Sequence, residues 1–332
     1  MNRVALQLLG SGEYIPGLRV DSSEFDRRWG KPAGWTQDQT GVVTRAFIAP
    51  GEDVVTMGAA AARAALGDAQ VDPGSLDAII AVGSVPAQAI PCTAAFVHRE
   101  LGLGSSGVAA FDVNATCLGF LAALDMVAQG IATGRYRRVL LVASEVASAG
   151  LNWDDPATAG LFGDGAGAVV LGTPVRSGPV LRATRLQTFS EGAEHCQIRA
   201  YGTRTNFRDY PEAFQRGSQF EMNGRETYRL AASVLPGFLD ELLADAGISA
   251  SEVDVWIAHQ ASGGALKHLQ RHLGLPEQRF AMILQDHGNQ ISASLPLALH
   301  HARRSGLAKP GNILALVGTG AGLSVGGAVL EY

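Results

Sequence analysis

A cysteine, a histidine and an asparagine stand in this chain at points where a strand gives way to a turn. Asp112-Val-Asn-Ala-Thr-Cys117-Leu-Gly-Phe-Leu-Ala-Ala-Leu reads as a strand breaking sharply into an apolar helix, with Cys117 at the turn. A thiol there faces unpaired backbone N–H groups and the positive end of a helix dipole, both of which lower its pKa toward a reactive thiolate. Taken alone, a cysteine so placed is more often a small core residue. Val255-Trp-Ile-Ala-His259 ends a buried strand on an imidazole, and Asp286-His-Gly-Asn289 sets an amide at another strand-to-helix break. Singly these read as a core histidine and a turn-capping asparagine. Their conjunction shifts the odds toward a functional site. Cys92 and Cys196 lack that setting and read as core cysteines.

The glycine-dense run Val317-Gly-Thr-Gly-Ala-Gly322 follows a strand but continues into Leu323 to Glu331, which reads as another strand. A phosphate-cradling loop should open a helix, so its backbone N–H groups suit a carbonyl better than a nucleotide.

What brings these residues together is an internal repeat. Asp68-Ala-Gln-Val-Asp-Pro-Gly-Ser-Leu-Asp-Ala-Ile-Ile80 recurs as Asp245-Ala-Gly-Ile-Ser-Ala-Ser-Glu-Val-Asp-Val-Trp-Ile257. His98 to Leu103 is echoed by Arg271 to Pro276, and Tyr136 to Val142 by Pro310 to Leu316, in the same order. Three echoes in register argue for two copies of one α/β unit, residues 1–175 carrying the cysteine and 176–332 carrying the histidine and asparagine. Asn289 then holds the place in the second copy that Cys117 holds in the first, and equivalent strand ends converge at a pseudo-twofold axis. Continuous apolar strands such as Ala78 to Val82 and Ile313 to Val317 are covered on both faces. With helices such as Val54 to Leu66 and Glu226 to Ala246 between them, the expected architecture is α/β/α/β/α. Val4 to Gly10 reads as the first strand.

Composition agrees with a large packed core. Only 17% of the 332 residues are charged, 47% are hydrophobic and 41 are glycine. Basic residues number 26 against 31 acidic, which argues against a nucleic-acid binder. Three scattered cysteines make neither a disulfide framework nor a structural zinc site, and a reducing, cytoplasmic setting follows. The most apolar helix, Cys117 to about Ala132, falls short of the roughly 20 residues that span a bilayer.

Ala-Thr-Cys117-Leu-Gly-Phe, Gly163-Asp-Gly-Ala-Gly-Ala168, His259-Gln-Ala, Gly288-Asn289 before Ser292-Ala-Ser-Leu-Pro, and the closing glycine run together resemble β-ketoacyl-acyl-carrier-protein synthase III, of the thiolase-fold superfamily. The matches span nearly the whole chain, in order. The resemblance implies decarboxylative condensation: Cys117 takes an acyl group from coenzyme A, and a malonyl thioester, carried on the carrier protein or on coenzyme A, loses carbon dioxide and attacks the acyl-enzyme. It implies backbone N–H groups of Cys117 and Ala321 as the oxyanion hole, and His259 and Asn289 as donors to the enolate. Coenzyme A thioester is then substrate, with no resident cofactor and no metal. The resemblance also implies that Trp35 stacks on adenine, although a surface-loop aromatic is an equal reading. It places Asn223, Gly224 and Arg225 along the pantetheine passage, Phe162 in the acyl pocket, and Ile90 across a homodimer interface limiting acyl length.

Three arginines usual in the family are absent: the chain has Gln39 and Gly264 at two of the positions, and Pro156-Ala-Thr-Ala-Gly-Leu at the third. Lys267, Arg271, Arg303 and Arg304 could supply a basic patch in their place, or simply a solvated helix face. Two other readings are an acyltransferase with a non-malonyl acceptor, and a non-catalytic partner subunit of a heteromeric synthase. Intact His259 and Asn289 count against the first, and Cys117 against the second.

Overall fold

A computed structural model describes residues 3–174 and 178–332. The expected boundary at 175/176 lies outside the described residues. On either side of it run two sets of elements in the same order, except that among the described residues the second has no strand in the place of the first set's β4. The first comprises β1 (Val4–Ala5), β2 (Gln7–Tyr14), α1 (Val54–Ala69), β3 (Ala78–Val82), α2 (Thr93–Glu100), β4 (Ala109–Val113), α3 (Gly119–Ala132), β5 (Arg138–Glu145) and β6 (Gly165–Gly172). The second comprises β7 (Val180–Thr188), α4 (Gly224–Ala246), β8 (Val255–Ala258), α5 (Gly263–Leu273), α6 (Ser294–Arg304), β9 (Ile313–Gly320) and β10 (Ser324–Glu331).

Two five-stranded sheets result, ordered β2-β6-β5-β3-β4 and β1-β7-β10-β9-β8. In each, a parallel pair (β3 with β5, β8 with β9) passes into antiparallel pairing with the strand that follows. The echo is exact enough to reach single side chains. Asp77, just before β3, accepts from the backbone N–H of Arg138 at 2.9 Å, and Asp254, just before β8, accepts from that of Ile313 at 2.8 Å. Each aspartate thereby satisfies the first donor of the neighbouring parallel strand.

Helices α3 and α6 lie between the sheets. The central core joins Leu118, Phe120, Leu121, Leu124 and Val127 of the α3 segment and Leu295, Leu297 and Leu299 of α6 to strand residues of both sheets, such as Ile80 and Leu141 on one side and Ile257 and Leu316 on the other. Helix α1 covers the outer face of the first sheet through Met57, Ala61, Ala62 and Ala65, and α4 and α5 cover that of the second through Phe238, Leu242, Leu266 and Leu269. These are the five layers expected. One detail differs: Val4–Ala5 pairs with β7 in the second sheet, while Gln7–Tyr14 pairs with β6 in the first. The single first strand read from Val4 to Gly10 is therefore two strands, each completing the edge of a different sheet. No helix is long and apolar enough to cross a membrane among the described residues.

Candidate active site

Between β4 and α3 the chain turns through Thr116, whose φ of 50° is unusual for a β-branched residue. The turn is held on both sides. The Thr116 N–H donates to Asn114 Oδ1 at 2.9 Å, and its hydroxyl donates to the carbonyl of Ala321 at 3.3 Å. Cys117 thus stands at the mouth of α3 facing the β9–β10 turn, and the closing glycine run forms a hairpin rather than opening a helix. A Cβ on Gly320 would come within 2.9 Å of Thr116 Oγ1, and one on Gly318 within 2.8 Å of His259 Cβ. The run is glycine-rich at these positions because the hairpin packs directly on the other two segments of the site.

His259 follows β8, its N–H donating to the carbonyl of Val317 at 2.8 Å and its Nδ1 hydrogen-bonded to Ser294 Oγ at 2.5 Å. Nε2 has no partner among the described residues. Gln260, fully buried beside it, clamps the strand end: its amide donates to Ala258 and Ala281 carbonyls, and its Oε1 accepts from the N–H groups of Ile283 and Leu284, both at 3.0 Å. Burial holds the His259 pKa down at about 4, so the ring is neutral at physiological pH.

Asn289 is almost fully buried, with Oδ1 accepting from the Ile291 N–H at 2.9 Å and Nδ2 donating to the Ala261 carbonyl at 3.3 Å. Its backbone is paired with the segment before β6: Asn289 N–H donates to Leu161, and Gly163 N–H donates to Asn289. This explains the Gly163-Asp-Gly-Ala-Gly motif. Asp164 is fully buried and accepts from the Ile48 and Ser148 N–H groups and the Ser148 hydroxyl, while its carbonyl accepts from Gln290. A Cβ on Gly163 would sit 2.1 Å from the His287 carbonyl oxygen. Gly163→Ala should therefore cost about 1–3 kcal/mol of unfolding free energy by urea denaturation. Gly67→Ala, where a Cβ meets nothing within 4 Å, should cost none.

Cys117, His259, Asn289, Ala321 and Phe162 all line one cavity of about 330 Å³, together with Leu151, Leu161, Ile198, Phe220 and Met222. Phe162 packs edge-on against Phe220 at 5.2 Å between centroids. Cys196, read from sequence as a plain core cysteine, lines it too, with its sulfur 3.4 Å from Thr227 Oγ1. Apart from the two cysteines, His259 is the titratable side chain on this wall.

The other expected contacts lie outside that cavity. Trp35 opens a short helix with the Lys31 ammonium 5.0 Å from its ring centroid. Asn223 caps α4 through the Glu226 N–H, and Gly224 and Arg225 follow it on the exposed surface. Ile90 is 84% exposed. Of the suggested basic patch, Lys267, Arg271 and Arg304 are exposed, but Arg303 is not free to join it. It is paired with Asp68 at 2.7 Å and bonded to the Tyr332 hydroxyl.

One expectation is corrected. The thiol of Cys117 is not lowered by its helix-start position: burial pushes it up to about 12, with the charge of Glu145 adding to the rise. The backbone N–H groups of Ala321 and of Cys117 itself do favour the thiolate, but the loss of solvent outweighs them. Glu145 itself was not visible as a site residue in the sequence, because an acid at the end of a buried apolar strand carries no local motif. Ser292 and Ser294 stand in the sequence only as members of the Ser-Ala-Ser-Leu-Pro motif. A serine one and a half helical turns from an asparagine gives no sign of its long-range partner.

The family model described as 3-oxoacyl-[acyl-carrier-protein] synthase III matches residues 111–188, and that of its C-terminal part matches 243–332. The chain is 35% identical over 334 residues to β-ketoacyl-[acyl-carrier-protein] synthase III of Erythrobacter litoralis, covering 100% of both chains. Its structure is similar to that of 3-oxoacyl-[acyl-carrier-protein] synthase III from Aquifex aeolicus VF5, with a TM-score of 0.89, 30% identity, and 98% and 100% of the two chains covered. It is equally similar to the priming β-ketosynthase of the R1128 polyketide pathway, at TM-score 0.89 and 30% identity over 99% and 97% of the chains. With thiolase-fold layers, a cysteine, histidine and asparagine on one cavity, and full-length likeness at this level, the chain belongs to the 3-oxoacyl-[acyl-carrier-protein] synthase III family of acyl-transferring condensing enzymes.

Proposed function

We propose that this protein joins an acyl primer, delivered as a coenzyme A thioester, to a malonyl thioester by decarboxylative condensation, with Cys117 as nucleophile and His259 and Asn289 as the groups that stabilise the enolate. The observation that carries this reading is the convergence of the three side chains, from both halves of the chain, on one largely apolar cavity.

In the first half-reaction the Cys117 sulfur bonds to the acyl carbon and the bond from that carbon to the coenzyme A sulfur breaks. The thiol proton leaves with coenzyme A. Neutral His259 is suited to carry it, because the Ser294 hydroxyl can accept from or donate to Nδ1 and so serve either tautomer. The N–H groups of Cys117 and Ala321 receive the charge on the carbonyl oxygen. In the second half, the bond to the malonyl carboxylate breaks and carbon dioxide departs. The electron pair spreads onto the thioester oxygen, facing His259 Nε2–H and the second hydrogen of Asn289 Nδ2. The new carbon–carbon bond displaces Cys117 as thiolate, which takes one proton from solvent, the proton that the overall condensation consumes as the malonyl carboxylate leaves as neutral carbon dioxide.

The same reading makes coenzyme A thioesters substrates rather than resident cofactors, requires no metal, and places the enzyme in the cytoplasm as a homodimer with Ile90 at the interface. It leaves Trp35, Asn223, Gly224 and Arg225 to hold the coenzyme A arm on the outer surface.

Intact-protein mass spectrometry tests it. The enzyme is incubated with acetyl-, isobutyryl- and octanoyl-coenzyme A, and then with malonyl-acyl carrier protein or malonyl-coenzyme A. An acyl adduct on Cys117 that either malonyl donor discharges is expected. An adduct stable to both donors would point instead to transfer onto a non-malonyl acceptor, and no adduct with any primer would count against catalysis by this chain.

A further inference from the structure

Glu145 ends β5 with no solvent exposure, and the chemistry above makes no use of it. Its Oε1 accepts from the Ser84 N–H at 2.8 Å, the Ser292 hydroxyl at 2.6 Å and the Ser292 N–H at 3.3 Å. Oε2 is buried without a partner among the described residues, and no cation pairs with the group. An acid in such surroundings is costly to keep, and burial pushes its pKa up to about 7 against the hydrogen bonds it receives. A stabilising role alone would be served as well by apolar packing.

What it grips is informative. Ser292 lies three residues after Asn289, and between them Ile291 has a φ of 50°, a left-handed conformation that a β-branched residue keeps only where its surroundings enforce it. The N–H of Ile291 is the donor to Asn289 Oδ1, so the position of Ile291 sets the rotation of the Asn289 amide. On its upstream side the segment is fixed by the pairing of Asn289 with Leu161 and Gly163. On its downstream side the long-range tie from the first sheet is Glu145, which accepts from both the hydroxyl and the N–H of Ser292.

We propose that Glu145 is the positioning residue for Asn289: by gripping Ser292 it fixes the strained Ile291 turn, and with it the face of the Asn289 amide offered to the enolate. This inference rests on the reading of Asn289 given above. Glu145 touches no reacting atom. Its positioning effect belongs to the malonyl half-reaction, because the Cys117 turn is held separately through Asn114 and Ala321; on acylation Glu145 acts through charge alone, which disfavours the Cys117 thiolate.

The test separates the two half-reactions in single-turnover, rapid-quench mass spectrometry, using the preferred acyl-coenzyme A of the wild type and then malonyl-coenzyme A. Glu145→Ala and Ser292→Ala should each slow discharge of the acyl-enzyme by roughly tenfold or more, while acylation changes by less than about threefold in Ser292→Ala and is not slowed in Glu145→Ala, which also removes a charge that disfavours the Cys117 thiolate. Glu145→Gln keeps an acceptor at Oε1 and should discharge faster than Glu145→Ala. The double variant Glu145→Ala/Ser292→Ala should lose no more than the worse single one, since the bond that Ser292→Ala removes is already absent in Glu145→Ala. Should Glu145→Ala fail to fold, as judged by its melting curve, Ser292→Ala and Glu145→Gln carry the comparison. Unchanged discharge in Ser292→Ala, or equal loss of acylation and discharge, overturns the proposal. A wild type that forms no adduct, or one that malonyl-coenzyme A and malonyl-acyl carrier protein cannot discharge, fails the proposed function instead.

Discussion

Cys117→Ala should form no acyl adduct with any acyl-coenzyme A, and its turnover should fall by a factor on the order of ten thousand or more. The expectation rests on position and chemistry together. Cys117 is at the mouth of α3, beside the backbone N–H groups of the β9–β10 turn, with its sulfur on the wall of the apolar cavity. Cys196 lines the same wall, and its thiol is likewise pushed up by burial, so it provides the internal control. Cys196→Ala should leave the adduct in place, and an adduct that survives Cys117→Ala but disappears in Cys196→Ala would reverse the assignment. The raised pKa has a second consequence. In the empty enzyme Cys117 should react with iodoacetamide slowly near pH 7, its rate still rising well above pH 8.5, where an ordinary thiol is half ionised. A rate already flat at pH 8 would mean that the helix dipole and N–H groups win after all.

Asn289→Ala should split the reaction, and His259→Ala should slow both halves of it. Removing one preoriented donor to a developing oxyanion costs about a hundredfold to a thousandfold. That loss should appear in discharge of the acyl-enzyme by malonyl-coenzyme A. For Asn289→Ala the acylation rate should stay near that of the wild type, since Asn289 meets only the second substrate. For His259→Ala acylation should slow as well, because neutral His259 is the one basic side chain on the cavity wall. Rapid-quench measurement of both half-reactions checks this. Equal effects of Asn289→Ala on the two half-reactions would remove Asn289 from its assigned task.

The elements, and the meeting of the three singled-out side chains, were legible in the sequence because each rests on a local pattern. Apolar runs of strand length, the repeated Asp-Ala-Ile-Ile and Asp-Val-Trp-Ile segments, and the glycine run between two strands all follow from periodicity and turn chemistry. The repeat then predicted that Cys117, His259 and Asn289 would meet, and they line one cavity. What local pattern does not encode is how far the solvent withdraws. The helix-start argument for Cys117 was sound about the N–H groups and wrong about the sum, since burial is a property of the assembled layers. Glu145 and Ser292 were missed for the same reason: their bond spans 147 residues of sequence and exists only once the two sheets have closed on α6. Arg303, read as part of a surface patch, turned inward because Asp68 and Tyr332 come to it from distant segments.

The division of residues 4–14 between two sheets bears on how the protein is made. Val4 and Ala5 pair with Leu181 and Val180, while Gln7 to Tyr14 pair with Ala166 to Gly172. On the ribosome, at roughly 5–20 residues per second, the opening strands emerge long before either partner exists. The leading segment must therefore wait, unpaired, until β6 and β7 have left the exit tunnel. The hairpin that brings Ala321 to Cys117 comes later still, at residues 313–331. A nascent chain can thus carry Cys117 for most of synthesis without the hairpin that faces it, and the cavity wall is completed only once residues 313–331 have been made.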